Sequence, residues 1–153
     1  MREADEDGVS FRLTTEPLPS SPPFPPTARV GALVVFEGLV RSHNEGKRVL
    51  RLEYSAYTAL AQSEGETILR EAAEQFGMLR ADCIHRLGVL AVGDCAVKVW
   101  ALGEHRREAF AACAYIMDQL KRRVPIWKRE TYDDGECRWV ACHEDHAMNN
   151  PPT

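Results

Sequence analysis

The sequence predicts a mixed α/β (α+β) fold, a mixed or antiparallel sheet covered by two main helices. Three observations lead there. Two stretches, 59–76 and 105–124, repeat apolar residues at steps of three and four, the period of a helix with one buried face. Around them lie short runs rich in Val, Ile, Leu, Trp and Tyr, bounded by Gly, Asn and Asp, as strands are. No segment repeats, and 153 residues with 44% apolar and 27% charged content suit one ordinary globular domain with a real core.

Taken in order, residues 1–9 are expected to be disordered, and a single domain to span 10–146. Phe11 to Thr15 alternates apolar and polar residues and reads as a first strand. Six prolines between Pro17 and Pro26 exclude a helix and predict an extended surface loop over 17–26. Gly31 to Val40 is a nearly continuous apolar run and reads as a buried central strand. Arg41 to Arg48 reads as an exposed loop, and Val49 to Tyr57 as a half-buried strand.

Thr58 is the expected N-cap of the first helix, with Ala61, Gly65, Ile68, Ala72 and Phe76 inside and Gly77 as its C-cap. Ala81 to Leu87 and Cys95 to Leu102 read as strands joined by a turn-rich bridge, Gly88 to Asp94. The second helix carries the stripe Phe110, Cys113, Ala114, Met117, Leu120 and Val124. Pro125 has no N–H and disfavours the α region for Val124, so the helix ends there. Strand Ile126 to Tyr132, a turn at Asp133 to Glu136 and strand Cys137 to Cys142 follow, and 147–153 form a loose tail.

The second helix is where function is expected. Lys121, Arg122 and Arg123 suit the negative end of its dipole, whereas His105, Arg106 and Arg107 oppose the positive end. Cations placed against a local rule point to a ligand. Lys121 also lies on the edge of the apolar stripe, where a lysine either snorkels or is partly buried beside a site.

The net charge of −4 is uneven. Residues 1–7 hold one Arg against four acids, and the remainder balances 18 bases against 19 acids. The basic cluster is therefore local, which suits a compact anionic ligand and not nucleic acid. No apolar run is long enough to span a membrane, and the acidic N-terminus lacks a signal peptide's apolar segment, so a cytoplasmic location is expected. Five cysteines without a C-x-x-C argue against a disulfide framework, and Cys137, Cys142, His143 and His146 match no standard zinc spacing, so no metal is expected.

Five short motifs occur in order: G-L-V-R at Gly38 to Arg41, H-R-L-G at His85 to Gly88, H-R at 105–106, M-D-Q-L-K at Met117 to Lys121, and P-I-W-K-R-E at Pro125 to Glu130. Together they resemble the large, catalytic subunit of molybdopterin synthase, over about Phe11 to Glu144. The resemblance implies a hammerhead-type fold and a sulfurtransferase of molybdenum cofactor biosynthesis, which converts cyclic pyranopterin monophosphate to molybdopterin. Sulfur would come from the C-terminal thiocarboxylate of a small ubiquitin-like carrier subunit. A homodimer of the large subunit, with a small subunit at each end, would form a heterotetramer, and no cofactor would be needed.

By the same resemblance Lys121 and Lys128 are catalytic. Arg41, His105 and Arg106 help bind the pterin phosphate, and the substrate-contacting segments are Leu39, Val40 and Arg41 together with Lys128, Arg129 and Glu130. The family's short helix ahead of the Gly31 strand is replaced here by the proline-rich stretch, and Leu39 stands where a small polar residue is common. A guanidinium grips phosphate in a bidentate fork, and a lysine in a partly dry pocket stabilises an oxyanion or moves a proton. The rival expectation is a non-catalytic module whose basic patch docks an acidic protein or a phosphorylated ligand.

Overall fold

A computed structural model describes residues 8–141 and Pro151. The N-terminal segment 1–7, Cys142, His143, His146 and most of the 147–153 tail lie outside the described residues.

The elements run β1 (Val9–Thr14), β2 (Ala32–Leu39), β3 (His43–Asn44), β4 (Lys47–Ala56), α1 (Thr58–Phe76), β5 (Arg80–Arg86), β6 (Gly88–Ala91), β7 (Cys95–Gly103), α2 (Arg106–Arg123), β8 (Ile126–Tyr132) and β9 (Cys137–Ala141). They make two sheets. The first has the order β1-β5-β7-β2, with β1 and β5 parallel and the other pairs antiparallel. The second runs β3-β4-β8-β9, and β6 also pairs with β4. This is the mixed α+β architecture with two helices that the sequence predicts.

Both helices pack on one face of the first sheet. Val9, Phe11, Ala61, Ile68, Leu69, Ala72, Val99 and Ile116 form the main core between them. The proline-rich stretch is a strap of bends across the opposite face, where Leu18 and Val30 cover Ile84, Trp100 and Leu102. The strap is tied down by the buried Lys98, whose Nζ donates to the Pro19 carbonyl at 2.9 Å and pairs with Glu37 at 2.7 Å. Phe24 lies against the Arg80 guanidinium, 3.6 Å from its ring centroid, and Arg80 in turn grips the buried Asp82.

Several expectations need correction. The Gly31 to Val40 run is an edge strand, not a buried central one, because β7 is its only strand neighbour among the described residues. Leu33, Val35 and Phe36 stay exposed along it. The central buried strand is β7. Thr58 is the first residue of α1; Tyr57 is the N-cap and makes no side-chain cap. The helix start is held by main chain instead, with the Tyr57 N–H donating to the Pro125 carbonyl.

The stripe of α2 is rotated from the expected one. Ala109, Ala112, Cys113, Ile116 and Leu120 are buried, whereas Phe110 is 63% exposed. Alanines allow close approach to α1, and that contact selects the phase. The Arg41–Arg48 loop is a β-hairpin whose turn residues Glu45 (φ 50) and Gly46 (φ 78) both take the left-handed region of a two-residue hairpin turn. The Gly88 to Asp94 bridge contains a strand, β6. Strand β1 begins at buried Val9, earlier than expected. Gly77 closes α1 at φ 65, and α2 stops at Val124, as the sequence predicts.

Gly65 sits where α1 crosses the first sheet. A Cβ there would meet the Phe11 ring at 2.4 Å, and that ring is buried. Alanine gains about 1 kcal/mol of helix propensity over glycine. Overpacking a rigid core ring costs typically about 1–3 kcal/mol, which exceeds that gain over most of its range. Gly65→Ala is therefore expected to lower the urea midpoint; an unchanged or higher midpoint would show that β1 shifts freely.

Candidate active site

A cavity of about 650 Å³ opens where the two sheets meet under the C-terminal turns of α2. Two rows of cross-strand partners line it. In the first sheet the row is Gly38, Val97 and His85, from β2, β7 and β5. In the second it is Tyr54, Lys128 and Val140, from β4, β8 and β9. Tyr54 and His85 join the rows by an edge-to-face ring contact at 5.0 Å. Met117, Leu120, Lys121 and Val124 of α2 close the cavity from above.

Three cations reach this cavity from three different elements. Arg41 follows β2, after a register shift at Gly38/Leu39 that bends the strand end. The Val40 N–H then donates to the Asp94 carbonyl at 3.0 Å, which anchors the turn. Lys121 stands in the last turn of α2, and Lys128 on β8 directly opposite Tyr54. Lys121 and Lys128 are separated in sequence by the Pro125 break, which reverses the chain from helix to strand and lets both face one space.

Arg41 and Lys121 are exposed and have no carboxylate partner among the described residues. Lys128 is half-buried and pairs with Glu130 Oε1 at 3.2 Å. Glu130 is 1% exposed and collects a dense set of donors. Asn44 Nδ2 donates to both carboxylate oxygens at 2.9 and 2.8 Å, and the Tyr132 hydroxyl donates to Oε2. Burial alone would raise its pKa; the bonds from Tyr132, Asn44 and Lys128 outweigh that and hold the carboxyl below the usual range. Glu130 so fixes the β3 hairpin and Lys128 relative to one another. A small polar annex of about 60 Å³, lined by Arg41, His43, Asn44, Lys128 and Glu130, extends the cavity on this side.

The structure thus brings together Leu39, Arg41, Lys121, Lys128 and Glu130 from the expected set, with Leu39 58% exposed at the rim. Val40 does not line the cavity; it is buried with Val49, Leu52, Leu90 and Tyr132. Arg129 points elsewhere, as alternation along a strand requires, and pairs with Glu53 at 2.5 Å beside Trp139. His105 and Arg106 are exposed at the opposite end of α2. At 1.5 Å per residue they stand roughly 22 Å along the helix from Lys121. Sequence reasoning did not place Tyr54 in the site, and it named His85 only as part of the H-R-L-G motif, with no role in the site. Alternation on a strand, the signal both share, shows the face a residue takes but not what that face meets.

The family model described as "MoaE protein" matches residues 16–123. The chain is 46% identical over 114 residues to the molybdopterin synthase catalytic subunit of Pyrococcus abyssi, covering 74% of this chain and 76% of that one. It is 46% identical over 106 residues to the molybdopterin synthase catalytic subunit of Oryza sativa subsp. indica, covering 69% of this chain and 55% of that longer protein. Its fold matches the crystal structure of molybdopterin synthase from Staphylococcus aureus with a TM-score of 0.80 at 32% identity, covering 85% of this chain and 96% of that one. A family match across most of the chain, 46% identity to a relative over 74% of its length and a shared fold place this chain in the MoaE protein family.

Proposed function

We propose that the protein is the catalytic subunit of a molybdopterin synthase, a sulfurtransferase that converts cyclic pyranopterin monophosphate to molybdopterin in molybdenum cofactor biosynthesis. The observation that carries this reading is the convergence of Arg41, Lys121 and Lys128 on one cavity, two of them without a carboxylate partner among the described residues. Such a site holds a small polyanion and stabilises charge that builds on oxygen as carbonyl and phosphate bonds rearrange. Arg41 supplies the bidentate fork for phosphate. Lys121 is the mobile ammonium that follows developing charge, and Lys128 is the fixed one.

Among the described residues no cysteine lines the cavity. Cys83 and Cys113 are buried in the core, and burial pushes both thiols up. A sulfur nucleophile brought by a partner fits that inventory, and a small thiocarboxylated carrier subunit is the proposed source. Its extended tail would enter the cavity beside the β2 edge, where Leu33, Val35 and Phe36 leave apolar surface uncovered.

The distant pair, His105 and Arg106, shares in the same chemistry only if it comes from a second copy of this chain, because one helix cannot fold its own start back onto its end. A homodimer follows from that reading, and we further propose a carrier at each of its ends, a heterotetramer working in the cytoplasm. The domain so employed runs from Val9, where β1 begins, to 146.

The test is reconstitution of this chain with thiocarboxylated carrier and the cyclic pterin precursor, following dithiolene formation. Product is expected, and a mixture of Lys121→Ala and Arg106→Ala chains should regain part of the activity that each lacks alone. A stable complex with the carrier that forms no product would instead support a non-catalytic docking module.

A further inference from the structure

His85 is a cavity residue that the catalytic scheme above leaves unused. Its Nδ1 lies 2.8 Å from the Arg86 carbonyl oxygen. A carbonyl only accepts, so Nδ1 carries the proton and Nε2 presents a bare lone pair. The ring is held from the side by Tyr54, centroids 5.0 Å apart and planes at 75°. Nε2 has no hydrogen-bond donor among the described residues. Burial pushes the imidazole down to about 4, so it is neutral at neutral pH.

Apart from the Tyr54 hydroxyl, which both donates and accepts, the other polar side chains of the cavity differ in kind. Arg41, Lys121 and Lys128 can only donate. Glu37 is held by Lys98 at 2.7 Å. A free carboxylate here would draw the cations into ion pairs, as Glu130 does with Lys128. A neutral imine nitrogen accepts a hydrogen bond without competing for them. The floor beside it is low and flat: Gly38 has no side chain, and a Cβ there would meet Val97 Cγ1 at 2.6 Å. Anionic groups of any ligand go to the cations, so the neutral acceptor on the floor is left for a flat ring bearing N–H groups.

We propose that His85 Nε2 is a specificity-determining acceptor that takes a hydrogen bond from an N–H of the substrate's pterin heterocycle and seats that ring on the Gly38–Val97–His85 floor. The inference rests on the substrate class proposed above. It explains why a histidine lies inside a cavity of cations while remaining uncharged.

The test compares wild type, His85→Phe and His85→Gln, each with thiocarboxylated carrier and the cyclic pterin precursor. Phenylalanine fills the space without an acceptor; glutamine offers an amide oxygen. His85→Phe should raise KM for the precursor about tenfold, the scale of one hydrogen bond lost to an unpaired N–H, with a much smaller change in kcat. His85→Gln should recover most of that loss, and carrier affinity should stay at the wild-type value in both. In wild type, KM should climb below about pH 5 as Nε2 protonates near Arg41, Lys121 and Lys128, with Glu37 and Tyr54 the other ionisable neighbours, and His85→Gln should lack that rise. An unchanged KM in His85→Phe overturns the proposal, as does a defect equal in both variants or one confined to carrier affinity. A wild type that makes no dithiolene overturns the enzymatic reading instead. Direct binding of the precursor to the three proteins, read by pterin fluorescence, then decides the role of His85 separately.

Discussion

Lys121→Ala is expected to reduce dithiolene formation by at least about a hundredfold, the scale set by removing a preorganised donor from a developing oxyanion, while the protein melts within a few degrees of wild type. The two halves of this result have separate grounds. Lys121 is exposed and has no carboxylate partner among the described residues, so truncation opens no core and strands no buried group. Its favourable position at the end of α2 contributes about 0.3–1 kcal/mol through the helix dipole, which for a chain of this size is roughly 1–4 °C. Single-turnover assays beside thermal melts check both. A melting point lowered by 10 °C or more would make Lys121 a structural residue and remove the reason to call it catalytic.

Glu130→Ala should have the opposite profile, a large loss of stability with activity lost in consequence. The carboxylate is 1% exposed and accepts from Asn44, Tyr132 and Lys128. Removing it leaves a hydroxyl, an amide and an ammonium without their acceptor, and breaking a buried ionic set from one side costs about 3–5 kcal/mol. That corresponds to a melting point lower by roughly 6–20 °C.

The pH dependence gives a second readout. Glu130 is held below the ordinary glutamate range, so its contribution is fully present above the unfolded-state pKa and is lost as pH falls through the folded one. Wild type should weaken over that acid window more steeply than Glu130→Gln, which keeps only the acid losses of other depressed carboxylates such as Glu71 and Asp134. An alanine variant within 0.5 kcal/mol of wild type, the ordinary surface range, would mean that the hairpin and Lys128 hold their places without the carboxylate.

Local grammar carried far in this chain. Pro125 set the end of α2 and Gly77 closed α1, whereas Arg129, grouped with Lys128 as a substrate contact in the sequence, takes the other face of β8. What stayed hidden depends on neighbours that a linear sequence does not name. The apolar run of β2 looks like a buried centre, but the order β1-β5-β7-β2 puts it on an edge. The stripe of α2 could sit in either of two phases, and small residues facing α1 chose one. The site was readable as motifs but not as a site: Arg41, Lys121 and Lys128 share one cavity, whereas His105 and Arg106, equally prominent in the sequence, lie at the far end of the same helix. Cations show in a sequence; His85 showed there only as part of the H-R-L-G motif, because its value as an acceptor comes from a tautomer fixed by the Arg86 carbonyl.

The division of labour between the sheets has a consequence for the order in which the newly made protein can mature on the ribosome. All four strands of the first sheet have been synthesised once Gly103 has emerged. The second sheet cannot gain its β4–β8 pairing until Ile126 to Tyr132 follow, and that late strand brings Lys128. A nascent chain stalled before β8 can therefore assemble its scaffold sheet and α2 yet present the sulfur carrier with an unfinished, inert cavity, so that chemical competence arrives only with the closing strands.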